Sequence, residues 1–85
     1  MERRAVPKQA ALVTVEQARA LATDRHFDQA CTLAVAAYDI GAAYQSERVR
    51  QAVRDFRASL GTQAPVRVTA ELDDRLHSAY TTRAT

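Results

Sequence analysis

The stretch from Phe27 to Ile40, FDQACTLAVAAYDI, leaves this chain few ways to fold. At helical spacing it is apolar nearly all the way round. Its strongly polar residues are Asp28, Gln29, Thr32 and Asp39, and Asp28, Thr32 and Asp39 recur at i, i+4 and i+11. A helix with so narrow a wet stripe has to be covered on both flanks. Ala30, Ala34, Ala36 and Ala37 let its neighbours come close. The stretch therefore predicts a central helix with one helix before it and one behind. Leu33, Ala37 and Ile40 should then be covered.

Both neighbours can be read from the pattern. From Lys8 to Asp24, Leu12, Val15, Ala18 and Ala22 line one stripe with Ala11 and Leu21 beside it. Glu16, Arg19 and Asp24 lie opposite. Thr14 and Gln17 have capping-box spacing, which would start the helix later, but one longer helix is the preferred reading. Asp24–Arg25–His26 is a polar break with no glycine or proline, and so short a turn makes its helices antiparallel neighbours. The central helix should end near Gly41 to Ala43, with Gly41 either its left-handed cap or still inside it.

Ser46 is a good N-cap for a third helix, Glu47 to Leu60, with Glu47 favoured by the dipole in the first turn. Val49, Val53, Phe56 and Leu60 recur at i, i+4, i+7 and i+11, with Phe56 as anchor and Gly61 as stop. Pro65 disfavours helix before it. Thr69 is then expected to cap a short fourth helix, Ala70 to Tyr80, edged by Leu72, Leu76 and Ala79. The lone PVRVT stretch has no strand to pair with. The expected architecture is all-α. Residues 1–7 form a disordered lead-in, and 8–61 an antiparallel hairpin with a capping helix. A linker over 62–69, a short helix over 70–80 and a frayed tail over 81–85 follow.

Composition narrows the function. Two glycines and two prolines in 85 residues suit helices rather than a many-turned β fold. The single cysteine, Cys31, has no internal disulfide partner and reads as a small core residue in a reducing cytoplasm. Net charge is +2 and Lys8 is the only lysine, so the basicity is arginine. That mild excess is a weak argument for nucleic acid. No apolar run is long enough for a membrane span, and the N-terminus lacks the apolar core of a secretion signal. A cytoplasmic location is expected.

No nucleophile–base–acid set, phosphate loop or glycine-rich loop is recognisable, so neither catalysis nor a cofactor is expected. His26 and His77 have no metal-ligand spacing to other residues. Glu71, Asp73 and Asp74 read as an acidic first turn satisfied by the helix dipole. Two surface groupings remain. Arg50, Arg54 and Arg57 share an arc beside the apolar stripe of the third helix. They make either an anion- or partner-binding strip or a solvated face moderated by Glu47 and Asp55. Tyr38 and Tyr44 with Arg48 make either a peptide-binding patch of aromatic and guanidinium groups or the packing of a helix corner.

The segment DRHFDQA, a polar turn followed by an aromatic and then a small residue three positions on, resembles the helix–turn–helix of a tetratricopeptide repeat. In that alignment Phe27 is the aromatic of the turn and Ala30 the small residue of the second helix. Ala18 and Leu21 are the small and large positions of the first helix, and Ala37 is the later small one. Ala34 departs from the usual large aromatic, Arg25 from the usual glycine, and no proline closes the unit. With SERVRQAVRDFRASLG, a proline-containing linker and AELDDRL, residues 10–80 look like the C-terminal end of such repeat regions in actinobacterial transcriptional regulators of the helix-turn-helix class. The arginine and alanine bias suits a GC-rich genome.

In those proteins the DNA-binding domain lies at the other end. The resemblance therefore implies an interaction or sensor module rather than DNA binding. Repeat units do not bury their faces alone. The chain is thus expected to be either a piece of a longer repeat array or a chain that associates, with an apolar strip around Leu12, Val15 and Arg19 left for a partner, a second copy or preceding repeats. The leading expectation is a protein- or peptide-interaction module of a bacterial regulator. A small basic nucleic-acid-binding domain and a structural dimerisation module are the alternatives.

Overall fold

The computed structural model describes the backbone of residues 7–84 and the side chains of residues 9–77. It is all-helical: α1 (Pro7–Thr23), α2 (Phe27–Ala43), α3 (Glu47–Leu60) and α4 (Val66–Ala84). The expected lead-in lies outside the described residues up to residue 6, while Pro7 already opens α1, where its missing N–H costs nothing. Thr14 sits inside α1, and its hydroxyl donates to the Ala10 carbonyl at 3.0 Å, so the longer first helix is the one formed.

α2 packs against all three of the other helices, and α1 also packs against α3. The molecule is a slab 15 Å thick. Two packed helix layers would span about 14 Å between their outer Cα atoms. The core draws on every element: Ala11, Val15 and Ala18 of α1, Phe27 to Tyr38 of α2, the Val49–Val53–Phe56–Leu60 stripe of α3, and Leu72 of α4. Ala37 is fully buried, and Leu33 and Ile40 are half-buried against the core. Asp28, Gln29, Thr32 and Asp39 face solvent as their spacing requires. Phe56 has no exposed surface, and truncating such a side chain costs about 3–5 kcal/mol.

Gly41 is not a cap. It lies within α2, where an added Cβ would stand 2.9 Å from Val49 Cγ1 and 3.0 Å from Val49 Cβ. The missing side chain is what lets α3 come up against α2. The caps are placed elsewhere, by two turns of the same design. At the end of α1, Arg25 N–H donates to Ala22 O at 2.9 Å and His26 N–H to Leu21 O at 2.8 Å. At the end of α2, Gln45 N–H donates to Ala42 O at 3.2 Å and Ser46 N–H to Gly41 O at 2.8 Å. Both are Schellman closures, with Arg25 (φ 66°) and Gln45 (φ 52°) in the left-handed region.

Ser46 then caps α3, its Oγ accepting from Val49 N–H at 3.3 Å. Gly61 ends α3 at φ 55°, ψ −129°, a conformation open essentially to glycine alone.

The fourth helix corrects the expected boundaries. It begins at Val66 rather than Ala70 and runs to Ala84 rather than Tyr80, so the expected linker over 62–69 shortens and the tail over 81–84 is helical. Thr69 is not its cap. The Pro65 carbonyl accepts from Val68 and Thr69 N–H at 2.9 and 3.2 Å. Proline's fixed φ already suits a helix start, while the Thr69 hydroxyl turns back to donate to Val66 O at 3.2 Å. No glycine or proline follows Tyr80 to stop the helix.

The left-handed turn at Gln45 yields a direct test. A side chain there carries a backbone strain that glycine lacks, and this outweighs glycine's greater freedom in the unfolded chain. Gln45→Gly should raise stability by about 0.5–1 kcal/mol in urea unfolding, whereas a loss of stability would contradict the assigned turn.

Candidate interaction surface

The exposed side of α3 is set by its buried one. With Val49, Val53, Phe56 and Leu60 committed to the core, Arg48, Gln51 and Asp55 turn outward at i, i+3 and i+7. Because α1 packs beside α3, Leu12 is carried to the edge of this face. Leu12, Glu47, Arg48, Gln51, Ala52 and Asp55 line a shallow groove of about 420 Å³. It joins one residue expected for self-association, Leu12, to one expected for partner binding, Arg48.

The remaining expected site residues fall elsewhere. Val15 is 1% exposed and belongs to the core, because α1 packs against both α2 and α3. It cannot be part of an open strip. Arg19 is half-buried and pairs with Glu16 at 3.7 Å. Tyr38 is 3% exposed and Tyr44 53%, so the two tyrosines do not share a surface. Tyr38 stands one turn beyond Ala34 and two beyond Cys31, on the buried face of α2.

The arginine arc is not a free cationic strip. Arg50 Nε and Nη2 donate to one Glu47 carboxylate oxygen at 3.2 and 3.0 Å, and Arg54 donates to the other. Those hydrogen bonds, Arg50's first, hold the Glu47 carboxyl below its ordinary pKa. Arg57 leaves the arc altogether and reaches α4. There its Nε donates to Asp73 Oδ1 at 2.6 Å and its Nη2 to Oδ2 at 3.2 Å. With α4 starting at Val66, Asp73 lies two turns into the helix, so the Arg57 fork and not the helix dipole is its partner. Asp39 of α2 is met by Arg75 of α4, whose Nη1 alone donates to both carboxylate oxygens while its Nη2 donates to Glu71. These two cross-helix pairs fix α4 over α2 and α3.

Arg48 differs from the other cations of α3. No carboxylate among the described residues pairs with it, while Asp55 takes only a neutral partner, the Gln51 amide at 3.0 Å. The groove thus holds two charges that no opposite charge among the described residues neutralises.

Cys31 is buried, and desolvation pushes its thiol above the ordinary pKa despite the pull of Arg57. A protonated, covered thiol is a poor nucleophile. No three His, Cys, Asp or Glu side chains among the described residues are grouped to hold a metal, and no described helix is long and apolar enough to cross a membrane. No family model, curated protein or solved structure matches the chain.

The Tyr38 hydroxyl oxygen is buried without a hydrogen-bond partner among the described residues. Such a group lowers stability rather than adding to it. Tyr38→Phe should therefore leave helicity unchanged and raise the unfolding free energy by about 1 kcal/mol. A comparable loss would mean that the hydroxyl has a partner in the folded protein.

Proposed function

We propose that this chain is a non-catalytic protein- or peptide-interaction module from a bacterial regulatory protein, built as a tetratricopeptide-like hairpin (α1–α2) with α3 as its capping helix. The observation that carries the reading is the groove between α1 and α3. It offers apolar surface from Leu12 and Ala52 beside Arg48 and Asp55, neither of which meets an opposite charge among the described residues. An apolar centre rimmed by uncommitted charge is the surface chemistry of partner recognition.

The hairpin assignment is supported by the turn at Arg25. This residue stands where the repeat usually has glycine, and it adopts the left-handed backbone that glycine would supply. Nucleic acid is not favoured. The arginines of α3 other than Arg48 are engaged by Glu47 and Asp73, which leaves little net positive field to attract phosphates.

Site-specific photocrosslinking in the native host tests the reading. A photoreactive residue at Gln51, in the groove, should yield discrete protein adducts. The same residue at Gln29, on the wet stripe of α2, should yield none. Equal labelling from both positions, or none from Gln51, would overturn the proposal.

A further inference from the structure

We infer that the occupant of the α1–α3 groove is a second copy of this chain, docked α3 against α3 in antiparallel orientation about a two-fold axis. The inference rests on the reading of the groove as a contact surface and names its partner.

The geometry comes from the spacing of the two uncommitted charges. Arg48 and Asp55 are seven residues apart, two helical turns, and stand on the same exposed face of α3. Two antiparallel helices related by a two-fold axis bring each residue opposite one whose number gives a constant sum. An axis through the middle of this face, between Gln51 and Ala52, sets Arg48 of each copy opposite Asp55 of the other. Both leftover charges are then neutralised at once, and Ala52 meets Gln51 across the axis. The small Ala52 side chain permits close approach, and Leu12 of each copy flanks the contact with apolar surface. Antiparallel α3 helices also place opposite dipole ends together.

The charge pattern argues against a simpler ligand. A purely acidic peptide would meet Asp55 and Glu47, and a purely basic one would meet Arg48. The groove asks for a ligand with both signs at two-turn spacing on a helix. α3 itself carries that pattern.

The test is a charge reversal followed by a mixture, read by sedimentation equilibrium of the full chain over a wide concentration range. Arg48 and Asp55 are both exposed, so neither change threatens folding. The unaltered chain should show a reversible monomer–dimer equilibrium. Arg48→Asp and Asp55→Arg, each alone, set like charges opposite one another twice per dimer and should weaken dimerisation about tenfold or more. Mixing the two variants pairs opposite charges at both contacts and should restore the original dimer strength.

A chain that stays monomeric, reversals that leave the dimer unchanged, or a mixture no tighter than its components would each overturn the inference. The Gln51 crosslink separates this failure from that of the interaction reading. Adducts to a different protein from a monomeric chain would remove the self-docking and keep the groove. Absence of any adduct would remove the groove as well.

Discussion

Small residues on α2 set how near the other helices come, and the rest of the fold follows from that distance. Ala30, Ala34, Ala37 and Gly41 are all buried, so backbone meets side chain where larger residues would hold the helices apart. The close seat at Gly41 admits Val49, which starts the buried stripe of α3. That stripe then decides which side of α3 faces outward. The surface groove is thus a consequence of core packing.

The connections serve the same end. Two Schellman turns of the same form join α1 to α2 and α2 to α3, each holding a non-glycine residue in the left-handed region. Side chains there cost stability, and the chain tolerates them because burial on both sides fixes the helices. At Arg25 part of the cost is offset, since its guanidinium stands 5.6 Å from the centre of the Phe27 ring. α4 is held differently. Leu72 supplies its buried contact, and the Arg57–Asp73 and Arg75–Asp39 pairs tie it to its neighbours.

What could be read along the chain was local. The Ser46 cap, the stop at Gly61 and the four-residue stripe between them needed no tertiary knowledge, and α3 has the expected bounds. The burial of Tyr38 was also present in its phase with Ala34 and Cys31, but an aromatic near a helix end reads as easily for a surface. The start of α4 was obscured by Thr69. Its hydroxyl suits a cap in isolation, yet it serves a back-bond within a helix that Pro65 had already begun. Val15 and Arg57 were beyond local reading, because the burial of one and the partner of the other depend on which helices meet.

The fold depends on α2 being the covered centre of the domain. Native-state hydrogen exchange measures this residue by residue. The amides from Cys31 to Tyr38 should be the slowest in the chain and should exchange only through global unfolding. Exchange from these amides ahead of those in α1 and α3 would mean that α2 opens by itself and is not the covered centre.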